Sequence, residues 1–289
     1  MKRIDFDNGN VASNILNAAI PMLVAQILSL LYNIVDRIYI ARIPDVGTAA
    51  LGAVGLCFPI ITIVTACSNL FGSGGAPLFS ISRGMGDSKK ANRIMNTSFS
   101  MVCVSGVILM VTGLLFARPI LILFGASKSA LVYAYPYMMI YLLGTLPSMI
   151  AVGMNPFINA QGFGKMGMCT VALGAVVNIV LDPIFIFALN LGVGGAALAT
   201  VLSQCCSAVW VLRFLTGRRA LLRLKASCLR LKASRVRRIL GLGMSGFAMA
   251  MTNSLVQIVC NATLQSYGGD LYVGSITILQ SVMQMVVMP

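Results

Sequence analysis

Histidine and glutamate are both missing from this chain of 289 residues, and its acids are seven aspartates. Without histidine, no imidazole proton relay and no imidazole metal site can be built. Charge of either sign is scarce: 10% of residues are charged, against about 25% in a soluble domain. What remains is apolar. Hydrophobic residues make up 58% of the chain and mean hydropathy is +0.91, which places it among membrane proteins before any motif is read. Each acid inside an apolar run then has a strong claim on a function. The eight cysteines, at 57, 67, 103, 169, 205, 206, 228 and 260, show no metal-ligand spacing and are expected to act as small buried hydrophobes. No cofactor is expected.

A spanning helix needs about 20 mostly apolar residues. Seven runs qualify, at roughly 13–40, 48–79, 94–117, 131–158, 167–189, 193–215 and 239–266, and an eighth begins near 272. The fold class is therefore an all-α polytopic membrane protein. The start "MKRIDFDNGN" mixes acids with bases and precedes a run longer than a signal h-region, so no cleavable signal is expected. The last run stops at Pro289, so the chain is expected to be a fragment or truncated gene product.

The net charge of +14 does not point to nucleic acid, because the bases sit in short polar segments between apolar runs. With the N-terminus in the cytoplasm, the inner segments hold 17 bases: Lys2, Arg3, Arg83, Lys89, Lys90, Arg93, Lys165 and ten from Arg213 to Arg238. The outer side holds four, Arg37, Arg42, Arg118 and Lys128. That asymmetry predicts an N-terminus inside and a multi-pass protein of the cell (inner) membrane.

Residues 222–235 contain the repeat "LRLKASC" and "LRLKASR". The repeat reads equally as an amphipathic helix on anionic lipid or as a solvated linker that only sets topology. Either way it divides the chain: residues 1–215 form an N-terminal six-helix lobe, 216–238 a basic cytoplasmic linker, and 239–289 the start of a second lobe. Prolines 21, 59, 77, 147 and 156 interrupt the spans. They read as structural kinks or as movable hinges, the hinge reading being best for Pro21 on the first helix.

Two aspartates lie inside apolar runs, in "LYNIVDRIYIAR" (Asp36) and "VNIVLDPI" (Asp182). Helices five and six should turn near Leu191, with Asp182 nine residues before it and Thr200 nine after, each ~13 Å from the turn at 1.5 Å per residue. Asp36 stands eight residues before the turn near Pro44, at ~12 Å. Three helices thus bring oxygen-bearing side chains to one level. Tyr32 shares a helix face with Asp36, and Asn178 with Asp182. These are hard oxygen donors, suited to a hard cation or to shared protons. Two close carboxylates cannot both ionise cheaply, so one takes a proton or a bound cation compensates both, and Na⁺ and H⁺ compete. The bland alternative satisfies each acid locally, Asp36 by a neighbouring base and Asp182 as a helix-end cap before Pro183. Arg37, adjacent to Asp36, does not share its face and is expected to snorkel to the outer interface.

At these residues the sequence resembles the multidrug and toxic compound extrusion (MATE) transporters. The first helix "IPMLVAQILSLLYNIVDRIYIARIP", the segments "RGMGDSKKANRI" and "NAQGFGKMGM", and above all "NIVLDPIFIFALNLGVGGAALATVLS" carry the resemblance. It departs at Ala41, where a glycine is common, at Met244-Ser245 in place of a "GxP" element, and in length. It implies two six-helix lobes around a cleft, of which this chain holds the first plus helix seven and part of helix eight. It implies a secondary transporter rather than an enzyme, exporting cationic amphipathic compounds in antiport with Na⁺ or H⁺. By the same resemblance Asp36, Asn178, Asp182 and Thr200 match cation-binding positions. Tyr32, Tyr137 and Asn155 match the supporting network, and Pro21 the bend in the first helix. The expected partners are drug-like cations, the bilayer and the missing C-terminal lobe. Three other readings compete. The first is a lipid-linked oligosaccharide flippase or polysaccharide exporter of the same superfamily, which would show basic residues in the cleft. The second is a non-transporting remnant. The third is an intramembrane aspartyl protease, which needs a GxGD motif found in neither aspartate segment.

Overall fold

The computed structural model describes residues 11–44, 47–224 and 232–287, and among these there is helix and turn but no strand. Eight α-helices follow one another: α1 Val11–Ala41, α2 Gly47–Gly84, α3 Ser88–Leu123, α4 Lys128–Leu143, α5 Thr145–Ala160, α6 Gly164–Pro183, α7 Gly192–Thr216 and α8 Ala233–Val287. Six are long and apolar enough to cross a membrane, and α4 with α5 makes a seventh span if the bent pair is counted as one. The all-α polytopic expectation holds.

The run 131–158 does not form one helix. It bends by 56° between α4 and α5. Gly144 stands at the corner, and a Cβ there would strike Val201 of α7 at 2.5 Å. Pro147 then falls in the first turn of α5, where its missing N–H costs nothing. The last span is also divided. Gly269 adopts φ 64°, ψ −161° inside α8, so the expected gap between 266 and 272 becomes a kink without a loop.

Where the chain turns sharply, local chemistry fixes the turn. Asp87 caps α3 by accepting the backbone N–H of Lys90 at 2.9 Å. After Pro183, α6 widens into a π-turn over Ile184–Ala188, closed by the Leu189 N–H on the Ile184 carbonyl at 2.9 Å. Asn190 (φ 52°) and Gly192 (φ 53°) then reverse the chain into α7. The hairpin expected near Leu191 is therefore present, preceded by one wide turn.

Helix α2 is the axis of the bundle and packs on α3, α4, α5 and α8. Its Gly74 meets the backbone of Ile239 and Gly243 on α8, and Gly243 in turn meets the backbone of Leu70. Such close approach between small residues is how helices associate where lipid supplies no hydrophobic drive. One apolar cluster, with Phe79, Met95, Phe157 and Ile239, fills the end of the bundle that carries Arg83, Lys89 and Lys90. A second, with Ile40, Leu121, Met138 and Ala196, fills the opposite end. Helix α1 lies mainly on α6 and leaves Leu16, Leu23, Ile27 and Leu31 exposed, a surface for acyl chains rather than water.

Residues 225–231, the middle of the duplicated basic segment, lie outside the described residues, as do Lys2 and Arg3. The stretch just before them is not helical. It folds back on the bundle, with the Leu224 N–H on the Leu215 carbonyl at 3.0 Å. Buried Gln161 accepts the Leu221 and Leu222 N–H groups at 2.9 and 3.1 Å.

Candidate cation-binding site

Asp182 and Asn178 lie one helical turn apart on α6 and are among the most enclosed polar side chains, at 0% and 1% exposure. Asn178 Nδ2 donates to Asp182 Oδ1 at 3.3 Å and to Thr200 Oγ1 on α7 at 3.4 Å. The π-turn after Pro183 leads α6 into the reversal that brings α7 back alongside it. Asp182 is the last residue of α6 but one, yet its Oδ1 accepts from the Asn178 side chain rather than from a backbone N–H, and the chain runs on into the wide turn.

Asp36 enters from α1. Its carboxyl faces that of Asp182 closely enough for the two groups to act on each other. Two carboxylates are acceptors only, so that approach needs a proton or a cation between them. Tyr39 fixes this end of α1 to the wide turn by an edge contact with Phe187, ring centroids 6.3 Å apart. Asp36, Asn178, Asp182 and Thr200 thus converge from three helices.

The set is under-bonded. Asp36 Oδ1, Asn178 Oδ1 and Asp182 Oδ2 are all enclosed, and none of them has a hydrogen-bond partner among the described residues. Buried polar atoms are rarely left so, and an orphaned acceptor costs about 1–3 kcal/mol. Three orphaned oxygens beside a hydroxyl make a donor set that a hard monovalent cation or a proton can satisfy.

Tyr137, buried on α4, faces both aspartates and stacks on Tyr141, with centroids 6.4 Å apart and planes 5° apart. Tyr32 lies one turn from Asp36 on the same helix, near Ser29, whose carbonyl accepts from Asn33 Nδ2 at 2.6 Å. Asn155 stands apart. Its Nδ2 donates to the Gly167 carbonyl at 3.3 Å, eleven residues before Asn178 on α6, or ~16 Å along the axis. Pro21 is fifteen residues before Asp36, ~22 Å away, and α1 passes through it as one helix.

Arg37 corrects an expectation. It does not reach out to the interface. Its guanidinium lies 4.6 Å from the centroid of the Phe58 ring on α2, close to the Asp36 carboxyl and the Tyr137 phenol. A ring face and a nearby carboxylate hold the cation inside the bundle better than the apolar route outward. Tyr141 is an addition to the expected residues, although it is four residues from Tyr137 and the shared helix face points to it. Phe58 carries no sequence signal, being one apolar residue among many in α2.

A model of the family described as MatE matches residues 21–184. The multidrug export protein MepA of Staphylococcus haemolyticus (strain JCSC1435) is 27% identical over 263 residues, which is 91% of this chain and 58% of that protein. The structure of the MATE multidrug transporter DinF-BH has a TM-score of 0.91 and 33% identity, covering 100% of this chain and 65% of that one. An inward-facing multidrug resistance MATE family transporter of the MOP superfamily has a TM-score of 0.85 and 26% identity, covering 95% and 62%. The chain therefore spans under two thirds of the length of these relatives.

Proposed function

The chain belongs to the MatE family, and from that premise we propose that it works in multidrug efflux, as the cation-coupling part of a Na⁺- or H⁺-driven antiporter for cationic amphipathic compounds. The observation that supports this reading is the trio of orphaned oxygens, Asp36 Oδ1, Asn178 Oδ1 and Asp182 Oδ2, around two facing carboxyls. Asp36 and Asp182 supply charge, Asn178 and Thr200 neutral ligands. Tyr137 and Tyr32 line the site, and Asn155 takes no part in the arrangement described.

The mechanism follows from competition. A proton between the carboxyls and a bound Na⁺ both relieve the same repulsion, so each displaces the other. Coupling needs a second state with a different cation affinity. In this reading α1, which carries Asp36 and little else of the site, is the element that moves, with Pro21 as its hinge. On the same reading residues 1–215 form one lobe, 216–238 the connecting segment, whose last six residues already belong to α8, and 239–289 the beginning of the second. The base asymmetry supports an N-terminus in the cytoplasm of a cell-membrane protein.

Transport assigns the cargo. Cells lacking their own efflux systems are given the chain and loaded with a lipophilic cationic dye, and dye loss is followed with and without a Na⁺ or H⁺ gradient. Gradient-dependent export removed by Asp36→Asn supports antiport. Export that ignores both gradients refutes it.

A further inference from the structure

At the end of the bundle rich in bases, α2, α3 and α8 enclose a cavity of about 250 Å³. It lies at the opposite end from Asp36 and Asp182, and its lining has two halves. Lys90 of α3 and Arg235 and Arg238 of α8 supply three positive charges. Leu78 and Ile81 of α2 and Met85 just beyond its end supply a hydrocarbon wall. Among the described residues no acid lines it. The nearest acid in sequence, Asp87, has its carboxylate engaged on the Lys90 backbone N–H as the α3 cap. The apolar wall continues outward, because Ile81 and Met85 are 54% and 73% exposed at its rim.

We propose that this cavity binds the headgroup of an anionic phospholipid, with its acyl chains running along α2. Three cations recognise a phosphate diester, and basic pockets between membrane helices are suited to acidic headgroups. The exposed Ile81 and Met85 side chains give the attached hydrocarbon a place that a free phosphate would leave uncovered. A cationic amphiphile is repelled, so the cavity is not a station for the cargo proposed above and its assignment stands apart from the cation chemistry. The lining also spans an important joint. Arg235 Nη1 already donates to the Arg93 carbonyl on α3 at 3.2 Å, and α8 is separated from α7 by the basic segment. A phosphate held by Lys90 and Arg238 adds a second tie between α3 and α8. The lipid thereby favours the arrangement in which these helices are together.

The test uses the whole 289-residue chain, purified and delipidated in a neutral detergent, with lipid binding read by native mass spectrometry. Phosphatidylglycerol is expected to fill one site at least tenfold more tightly than phosphatidylcholine. Lys90→Gln with Arg238→Gln is expected to weaken it more than tenfold, about fivefold for each base removed. Arg118→Gln with Lys128→Gln, at the opposite end, is expected to leave it unchanged. If the first pair does not yield folded protein, Ile81→Glu places a like charge at the exposed rim and is expected to give the same loss. Equal binding of the two lipids overturns the proposal, and so does equal loss in both double variants. Displacement of phosphatidylglycerol by an equal concentration of inorganic phosphate assigns the cavity to a soluble anion and overturns it as well.

Discussion

Asn178 reaches Thr200 across the α6–α7 hairpin at 3.4 Å, although 22 residues separate them in the chain. Its amide group serves as donor to both Thr200 and Asp182, which leaves its carbonyl oxygen enclosed and unused. Asn178 therefore positions two neighbours and offers a ligand of its own.

Replacing Asn178 by alanine removes that oxygen and both donated bonds. Cation affinity is expected to fall about tenfold or more, in line with 1–3 kcal/mol for a lost buried partner. Thr200→Ser keeps the hydroxyl and is expected to stay near wild type, whereas Thr200→Val is not. Radioactive Na⁺ binding to the purified proteins checks both, and equal affinity in Asn178→Ala and the parent would count against the shared site.

The convergence of Asp36, Asp182 and Thr200 was legible in the sequence because it needs only the rise per residue and the position of two turns. The structure reverses the chain at Asn190 and Gly192, on either side of the expected Leu191, and the wide turn before it shifts the depth little. What the sequence did not reveal depends on neighbours. Hydropathy alone cannot show that 131–158 bends into two helices at Gly144, against Val201 of α7. Nor can it show that Phe58 lies under Arg37. Asn155 shares the amide chemistry of the site, but α5 places it beside Gly167 instead.

The Arg37–Phe58 contact is expected to contribute about 0.5–2 kcal/mol. A double-mutant cycle of Arg37→Gln and Phe58→Leu, read from thermal unfolding in detergent, should show coupling of that size. Additive single effects would place the guanidinium elsewhere.

Gln161 is expected to hold the start of the inter-helix segment. Gln161→Leu leaves the Leu221 and Leu222 N–H groups without their acceptor, at about 1–3 kcal/mol. Limited proteolysis should then cut within 217–224 faster than in the parent. An unchanged digestion rate argues against the clamp.

Gly74→Leu forces a side chain into the backbone of Ile239 and Gly243. Overpacking of this kind costs about 1–3 kcal/mol, here expected as weaker docking of α8 on α2. Disulfide cross-linking between cysteines placed at exposed neighbouring positions on the two helices should slow in this variant. It should remain fast in Gly241→Ala, where an added Cβ meets open space.

The central claim is that Asp36 and Asp182 share one site in which Na⁺ and H⁺ exchange. The direct measurement is proton release from the purified chain when Na⁺ is added, in weak buffer with a pH dye, beside Na⁺ binding on the same sample. The account expects saturable Na⁺ binding with protons released in proportion, and loss of both in Asp36→Asn with the protein still folded. Na⁺ binding and proton release that survive Asp36→Asn unchanged would contradict it.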